Sequence, residues 1–359
     1  MNSVRQNKKK LHKIRTQLLT HYYLAPTNFP EEKIKFFKDH RHNPQFLYPY
    51  VPLSKFSKFE EEIENLTYPK VDNIESRIYK RIIEETKLKL RLLLAIGTPS
   101  LLEISRRLYQ LEFKRETLES AKCDAAIKDN VKPNKKITRY EIRTAIKNYL
   151  MKYGIKNWKI ILTDRHDFSF QILPKSKLIK IGFNLNSDLN NLEYALAHEI
   201  DGHVMRALNA AKQKSKMHKM LFPFYIKTEE GLASFIGDYF SSGGEVRKKL
   251  HAISYLAAHF AMSHSFSETY KFLTDYGLTL DTAFQKTFRL KRGIKDSESH
   301  GVFAREAIYY EGMLEVKNYL EDGGDIRKLY AGKVSLDMLN YIPIPKNQIL
   351  PNRLLNYLN

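Results

Sequence analysis

The stretch ALAHEIDGHVMRALNAAKQ, residues 195–213, contains two histidines five positions apart, His198 and His203, with Glu199 directly after the first. Metal-binding helices usually carry such histidines four positions apart, because four residues turn roughly 400° and bring both side chains to one face. Five residues turn roughly 500°, which leaves the two side chains about 140° apart on a regular α-helix. Two interpretations follow: unrelated histidines on an amphipathic helix, or a metal site on a helix that departs from α-geometry.

A single π-type turn would reconcile the spacing with a shared metal ion, because it accommodates one additional residue and returns both imidazoles to one face. Such turns occur mostly at functional sites. Gly202, directly before His203, makes the turn easier to form. The metal-site interpretation therefore predicts a π-type turn between the two histidines.

A second stretch, KTEEGLASFIGDYF at residues 227–240, contains a candidate third ligand. It resembles the helix from which gluzincins, a class of zinc peptidases, take a glutamate ligand, because Glu230 is followed by glycine, leucine and alanine. Two histidines and one carboxylate leave a fourth position for water, as catalytic zinc requires. The alternative is a carboxylate that the helix dipole favours in a first turn, a role that also fits Glu229.

Hydrophobic periodicity predicts the elements around these stretches. Helices are predicted over residues 74–96, 99–111 and 138–153, and strands over residues 158–163, 168–173 and 178–183. Ser187 or Asp188 is the predicted N-cap of the helix with the two histidines. A small sheet before the metal-motif helix is the order found in zincin-type metallopeptidases. The predicted fold class is α+β, mainly helical: a gluzincin-type zincin core with a small β-sheet and an N-terminal helical part.

Composition suggests four segments. They are a basic N-terminal arm at residues 1–28, an N-terminal helical region at 29–130, a zincin-like catalytic domain at 131–345 and a C-terminal tail at 346–359. Within the helical region, the Pro- and aromatic-rich residues 29–53 are expected to be extended. The polar residues 112–136 are expected to form a loop before the catalytic domain.

The chain carries a net charge of +20, concentrated in residues 1–28, which lack an acidic residue, and residues 132–159, which contain one. Such a charge favours polyanionic partners, and a lysine-rich solvated surface explains it equally well. No zinc-finger, RNA-binding or Walker pattern accompanies it, so nucleic acid is not the expected partner.

Other features indicate a cytoplasmic protein. A single cysteine, Cys123, excludes an internal disulfide framework and fits a reducing compartment. The N-terminal residues lack the apolar core of a secretory signal, and no run of about 18 apolar residues predicts a membrane span.

Four motifs in order resemble the QEGLA-motif family, which includes the microtubule-associated tyrosine carboxypeptidases that trim tubulin C-termini. They are the H-E-x-x-x-H and E-G-L-A stretches, FRLKRG at residues 288–293 and FAREAIYYEG at residues 303–312. The resemblance implies a zinc-dependent carboxypeptidase with His198, His203 and Glu230 as ligands and Glu199 as general base. Tyr309 matches the family's tyrosine, and Arg305 matches its lysine.

The chain departs from the family pattern close to these residues. Asp201-Gly202 replaces Gly-Thr, Glu229 replaces the glutamine of QEGLA, and Ala304-Arg305-Glu306 replaces Thr-Lys-Asp. Ser234, four positions after Glu230, is not the aspartate that some gluzincins use to orient a ligand histidine. Asp201 and Glu229 add negative charge near the expected metal, and the changes together put the substrate preference in doubt.

The mechanism implied by the resemblance needs groups beyond the ligands. Tyr309 is the candidate donor to the developing oxyanion, although an amphipathic helix could equally hold it as a core tyrosine. Arg289, Arg292 and Arg305 are candidates to bind the substrate's terminal carboxylate, although each alone also fits a salt-bridged surface arginine.

Three further histidines and the single cysteine are not candidate ligands or catalytic residues. His251, His259 and His264 are predicted to be core or surface histidines, and Cys123 is not expected to act as a nucleophile. The acid-free connection at residues 205–219 is expected either to overhang the cleft and attract acidic peptides or to be a solvated loop.

The function predicted from sequence is a zinc-dependent carboxypeptidase that acts on a protein or peptide C-terminus, with an acidic, tubulin-like tail. One alternative is a dipeptidyl-peptidase-III-like aminopeptidase, which also uses H-E-x-x-x-H. Another is a non-catalytic basic protein that binds polyanions. Glu199 argues against it, because a purely structural zinc site does not need an unliganded glutamate beside it.

Overall fold

The computed structural model describes residues 2–66, 73–128, 134–164, 169–183, 187–214 and 222–357. They are mainly helical and include a small three-stranded sheet, so the predicted α+β, mainly helical class is confirmed. The chain divides into two compact units, one with Met1–Lys122 and Ile253–Ile308, the other with Cys123–Ala252 and Tyr309–Asn359. The segment boundaries suggested by composition stay predictions.

Unit 1 is helical in its described residues. Its helices are α1 (Asn2–Gln17), α2 (Thr20–Tyr23), α3 (Phe29–Lys38), α4 (Leu53–Glu64), α5 (Ile74–Leu94), α6 (Leu101–Tyr109), most of α7 (Arg115–Ala125), the second half of α12 (Gly244–Ala261), α13 (Phe266–Asp275) and α14 (Leu280–Leu290). A short 3₁₀ turn follows at Ala304–Glu306. Phe36, Phe266 and Phe284 pack together in its core, with ring centroids 5.2–5.4 Å apart.

Unit 2 contains the strands and the remaining helices. They are β1 (Lys136–Ile137), α8 (Arg139–Lys152), β2 (Lys159–Leu162), β3 (Phe170–Leu173), β4 (Leu178–Ile181), β5 (Ser187–Asp188), α9 (Leu189–Ala195), a π-helical stretch (Leu196–Val204), α10 (Met205–Lys212), α11 (Ile226–Phe240), the first half of α12 (Gly244–Ala261), α15 (Ile308–Glu321, from Tyr309 onward) and α16 (Ile326–Leu329). We call Leu196–Val204 the π segment. Further 3₁₀ turns lie at Pro174–Ser176, Leu336–Tyr341 and Asn352–Tyr357.

The three-stranded sheet has β4 at its centre, parallel to β2 and antiparallel to β3. Ile179 and Ile181 of β4 are fully buried and join a hydrophobic cluster with Ile142 and Ile146 of α8. Ile200 and Val204 of the π segment belong to the same cluster. This packing anchors the apolar side of the π segment and leaves its polar side for the histidines.

Local sequence signals account for the helix ends near the sheet. Thr138 accepts a hydrogen bond from the Glu141 backbone N–H, and Glu141 accepts one from the Thr138 backbone N–H, so α8 begins at a capping box. Asp188 accepts a hydrogen bond from the Asn191 N–H and caps α9, as one of the two sequence alternatives predicted. The first part of the strand predicted at residues 168–173 lies outside the described residues.

Two expectations about the residues before the sheet were wrong. The stretch expected to be extended contains α3, because Pro30 lies in the first turn, where a helix does not need the missing N–H. The stretch expected to be a loop contains α7, whose buried side includes Ala121 and Ala125. Small buried residues produce a weak hydrophobic period, so the pattern did not reveal this helix.

The longest helices among the described residues are α5, with 21 residues, and α12, with 18. α5 alternates buried apolar residues with Lys, Arg and Glu along its length. Within the described ranges, no helix combines the length and apolar character that crossing a bilayer requires.

Candidate metal centre

Three side chains of unit 2 converge on one position. His198 and His203 extend from the π segment and Glu230 from α11, and one ligand atom of each lies within 4.8 Å of the others. The Nε2 atoms of His198 and His203 lie 3.8 Å and 3.6 Å from Glu230 Oε2. Ligand atoms that each lie about 2 Å from a tetrahedral zinc are roughly 3.3 Å from one another. The donor set and its spacing therefore fit zinc, with a fourth position for water.

The π segment explains how histidines five positions apart can meet. It runs through both of them, and their ring centroids lie 5.1 Å apart. The predicted π-type turn is confirmed, and the interpretation as a regular helix is wrong. Because Ile200 and Val204 of the same segment are buried in the core, the additional residue is accommodated without exposing the apolar side.

Glycines allow the ligand-bearing elements to approach closely. A Cβ added at Gly202 would lie 2.6 Å from Ala233 Cβ, so α11 can pack on the π segment only without a side chain there. A Cβ at Gly231 would lie 2.3 Å from the carbonyl of Gly312 on α15. Gly231 therefore holds Glu230 at a close helix crossing, which is a packing reason for the E-G-L-A pattern.

Each candidate ligand histidine has a partner at its other ring nitrogen, Nδ1. The Tyr194 hydroxyl lies 3.4 Å from His198 Nδ1, and Glu229 Oε1 lies 3.0 Å from His203 Nδ1. Partners of this kind fix the ring orientation and leave Nε2 to face the metal. From sequence, Glu229 was expected at a helix start and as an added negative charge near the metal, and no pattern indicated Tyr194.

The protonation of the two histidines differs. Burial and the neighbouring His203 lower the pKa of His198 to about 3, so its imidazole is neutral, the form that binds a metal. Burial also disfavours a charged His203, but hydrogen bonds to Glu229 and Glu230 outweigh it and raise the pKa of His203 to about 10. The carboxylates thus stabilise a cation here, and a bound metal ion would displace the proton from His203.

Glu229 is the centre of a buried charge network. Arg206, which is fully buried, donates to Glu229 Oε2 at 2.7 Å, and Lys333 donates to Oε1 at 2.5 Å. Burial raises the pKa of Glu229, but the charges of Lys333 and Arg206 and the bond to His203 hold it well below its usual range. The carboxylate is therefore ionised, and it connects His203 to two cations.

Glu229→Ala is expected to weaken zinc binding about 10–100-fold, because His203 loses the acceptor that orients it. It should also destabilise the protein by ~3–5 kcal/mol, because Arg206 loses its buried counter-charge. Glu229→Gln should be similarly unstable but retain most of the zinc affinity, since its side-chain carbonyl still accepts from His203. Chelator competition and thermal unfolding measure the two effects, with the exposed Glu321→Gln as control. Equal zinc affinity in the Ala and Gln variants would show that Glu229 does not orient His203.

Glu199 follows His198 in the π segment and is half-buried. Burial raises its pKa to about 7, with His203 lowering it and Glu230 raising it further. A general base works best when its pKa is near the operating pH, so Glu199 can exchange protons with a water beside the ligands.

Tyr309, at the start of α15, lies beside His198, one of the three converging side chains. Its ring centroid is 6.4 Å from that of His198, and the two planes are within 19° of parallel. The tyrosine is half-buried, so it is not a fully enclosed core residue. The structure thus brings the candidate oxyanion donor next to His198, a candidate metal ligand.

The three candidate substrate-binding arginines belong to unit 1 and form one electrostatic group. Arg289 Nη1 lies 3.8 Å from Glu306 Oε2, and the Arg292 guanidinium lies 5.2 Å from the Phe288 ring centroid. Burial lowers the pKa of Arg292, as do the charges of Arg289 and Arg305, while Glu306 raises it. Among the described residues, Arg292 Nε is buried without a hydrogen-bond partner. Their role in binding a substrate stays a prediction.

Asp201, expected from sequence to add negative charge near the metal, is paired with Arg353 and Tyr149. It is fully buried, and it accepts a hydrogen bond from Arg353 Nε at 2.7 Å and from the Tyr149 hydroxyl at 2.9 Å. Burial raises its pKa to about 6, although Arg353 and Tyr149 lower it. Asp201 therefore ties the π segment to the C-terminal stretch, a contact that no local pattern indicated.

The other histidines and the cysteine considered from sequence do not belong to the three converging side chains, but one of them, His251, contacts Tyr309. His264 stacks on Phe260 with ring centroids 3.5 Å apart, His259 contacts the edge of Phe113, and Cys123 is exposed. His251 is likewise outside the set of three converging side chains, but it bonds to Asp238 and lies against Tyr309. Residues 215–219 of the basic connection lie outside the described residues.

Comparisons with known proteins agree with these motifs. The profile of the family described as "Microtubule-associated tyrosine carboxypeptidase" matches residues 34–347. Microtubule-associated tyrosine carboxypeptidase 1 of Rattus norvegicus is 24% identical over 323 residues, covering 88% of this chain and 60% of that protein. The Homo sapiens protein of the same name is 24% identical over 329 residues, covering 89% and 60%. Putative tyrosine carboxypeptidase MATCAP2 of Mus musculus is 24% identical over 350 residues, covering 92% and 57%.

The chain thus spans less than two thirds of the length of these curated relatives. The family match covers the π segment, α11, the arginine-containing stretch and the start of α15. The resemblance stated from the four sequence motifs is confirmed. The chain belongs to the microtubule-associated tyrosine carboxypeptidase family.

Proposed function

We propose that this protein is a zinc-dependent metallocarboxypeptidase with a gluzincin-type metal centre. The observation that carries the proposal is the convergence of His198, His203 and Glu230, with Glu199 in the same segment. A structural zinc site is usually closed by four protein ligands, whereas three ligands and a neighbouring carboxylate are the composition of a catalytic site. The relatives' names, which include "tyrosine carboxypeptidase", support the same reaction class.

The side chains have distinct tasks in this reaction. Zinc, when bound, supplies a Lewis acid that lowers the pKa of a water molecule and polarises the scissile carbonyl. Glu199 accepts the proton of the attacking water and passes it to the leaving amine. The Tyr309 hydroxyl donates a hydrogen bond to the oxygen on which charge develops. Tyr194 and Glu229 hold the ligand imidazoles in place.

A carboxypeptidase must also recognise the terminal carboxylate of its substrate. Arg289, Arg292 and Arg305 supply guanidinium groups that can bind a carboxylate through two parallel hydrogen bonds. The buried Nε of Arg292, without a partner among the described residues, supports this assignment. We assign the three arginines to substrate binding.

The substrate class is a protein C-terminus with acidic residues upstream of the scissile bond. The chain's +20 charge and the acid-free connection at residues 205–219 favour such a tail. The relatives' names, which include "tyrosine carboxypeptidase", favour release of an aromatic or other uncharged residue from a cytoplasmic, tubulin-like tail.

The direct test is zinc analysis of the purified protein combined with mass spectrometry of the residues released from a library of C-terminal peptides. About one zinc per chain and release of single C-terminal residues are expected. Release of N-terminal dipeptides would instead indicate a dipeptidyl-peptidase-III-like aminopeptidase. Zinc without any hydrolysis, together with polyanion binding, would indicate the non-catalytic alternative.

Salt is expected to lower kcat/KM for acidic peptides much more than for neutral ones. Attraction between a basic surface and an acidic tail acts over about 8–10 Å at ordinary ionic strength and is screened by added ions. Peptides with one C-terminal residue and varied upstream charge, assayed from low to high salt, measure the effect. Equal salt slopes for both peptide types would show that the basic surface serves another purpose.

A further inference from the structure

Four aromatic rings of unit 2 form a closed circle beside the metal centre. His198 lies 5.6 Å from Tyr194 and 6.4 Å from Tyr309, measured between ring centroids. His251, from α12, completes the circle at 5.7 Å from Tyr309 and 6.4 Å from Tyr194. Tyr194 and Tyr309 thus lie between His251 and His198, one on each side of the circle.

A buried carboxylate fixes the His251 ring. His251 Nδ1 lies 3.0 Å from Asp238 Oδ2, and Asp238 is only 5% exposed. The carboxylate accepts from the Nδ1–H, while Asp238 Oδ1 is buried without a hydrogen-bond partner among the described residues. The bond to His251 is therefore the main side-chain interaction of Asp238.

The helix that carries Asp238 also shapes the circle. A Cβ added at Gly237 would lie 2.5 Å from Tyr194 Cε2, so the neighbouring residue of α11 leaves room for the Tyr194 ring. α11 carries both Glu230 and Asp238. α11 therefore carries the proposed ligand Glu230 and the carboxylate that holds His251. Gly237 of the same helix leaves room for the Tyr194 ring.

A contribution to stability does not by itself explain the pairing of His251 with Asp238. Burying a charged carboxylate beside an imidazole costs desolvation energy, and apolar residues of similar volume often replace such pairs without loss of stability. His251 is not fully enclosed, since its side chain is 16% exposed. It also does not belong to the set of three converging ligands.

We infer that His251 is a positioning residue for Tyr309, and that Asp238 holds His251 in the required orientation. The imidazole lies against Tyr309 with the two planes within 21° of parallel, so it restricts the directions available to the tyrosine hydroxyl. A donor to a developing oxyanion is effective only when it is held in place before the reaction. This inference rests on the proposed function, in which Tyr309 is that donor.

A double-mutant cycle on the zinc-loaded full chain tests the inference. Tyr309→Phe should lower kcat by ~10²–10³-fold. His251→Ala should lower kcat by ~10–10²-fold, with KM and zinc content unchanged, because Tyr309 remains but is misplaced. In the Tyr309→Phe background, His251→Ala should change kcat less than about twofold, since residues that act through one another are not additive. His259→Ala, on the same helix, is the matched control and should leave kcat unchanged.

Variants of Asp238 provide a readout that does not need turnover. Asp238→Asn keeps an acceptor for the His251 Nδ1–H, whereas Asp238→Ala does not. In protein labelled at the tyrosine rings, the NMR signal of Tyr309 is identified by its loss in Tyr309→Phe. This signal should shift or broaden in Asp238→Ala and not in Asp238→Asn. An unchanged signal in the Ala variant would overturn the inference.

The kinetic outcomes separate this inference from the proposed function. If His251→Ala and Tyr309→Phe lower kcat multiplicatively, His251 acts independently of Tyr309 and the inference is wrong. Loss of zinc in His251→Ala would likewise assign the histidine to the metal centre. If the wild-type protein binds zinc but hydrolyses no C-terminal peptide, the proposed function fails, and the NMR comparison still decides whether His251 positions Tyr309.

Discussion

Glu199→Gln is expected to bind zinc as the wild type does and to hydrolyse peptides ~10²–10⁴-fold more slowly. The expected loss is the contribution that a positioned general base typically makes. Zinc should be retained because Glu199 is not one of the three converging ligands. Zinc analysis and kcat on one peptide, with Glu321→Gln as control, measure the two quantities. Hydrolysis at the wild-type rate would remove Glu199 from the mechanism.

The pH dependence should change in the same variant. Catalysis needs the ionised carboxylate, so wild-type activity should fall as the pH drops through the pKa of Glu199. Burial raises that pKa to about 7. A bound divalent cation favours the ionised form, so the acid limb is expected below pH 7 in the zinc-loaded protein. In Glu199→Gln this limb should be absent from the residual activity.

His203→Ala is expected to abolish both stoichiometric zinc binding and activity. The variant leaves only His198 and Glu230 of the three converging side chains. Glu229 keeps Arg206 and Lys333 as partners, so its buried charge remains compensated. The protein should therefore fold while losing its metal, which makes zinc loss a specific result.

Thermal unfolding with and without zinc provides an independent measurement of the same variant. A ligand that binds only the folded state stabilises it by about 2.7 kcal/mol at a concentration of 100 Kd. Zinc should thus raise the Tm of the wild type and of the control His264→Ala, but not of His203→Ala. Full metal content and activity in His203→Ala would show that the ligand set is misassigned.

Local sequence patterns determined much of the architecture. The period of apolar residues indicated α5, and the predicted range ends two residues after the helix observed at Ile74–Leu94. Alternation indicated β4, and the Asp188 cap marked the helix that leads into the metal motif. These predictions succeed because helix and strand periodicity and capping depend on residues only a few positions apart. Where the local signal was weak, as in α7, the prediction failed.

The sequence by itself also determined the composition of the candidate site. The five-position spacing of His198 and His203 permits a shared ion only with a π-type turn, and the turn is present. Glu230 was identified from its glycine-containing context, and Gly231 has a packing reason at the crossing with α15. Tyr309 was identified from the family pattern rather than from local chemistry.

Only the tertiary structure decided what surrounds these residues. Lys333 meets Glu229 across 104 positions, and Arg353 meets Asp201 across 152. Asp238 and His251 lie on consecutive helices, but nothing in their sequence context indicated that the pair would lie against Tyr309. Such contacts arise when helices and strands with separate local signals pack on one core, and a carboxylate removed from water there needs a compensating partner. Residue types and spacing therefore predicted the ligands, while the folded chain determined which charges are neutralised and which rings hold the candidate catalytic groups in place.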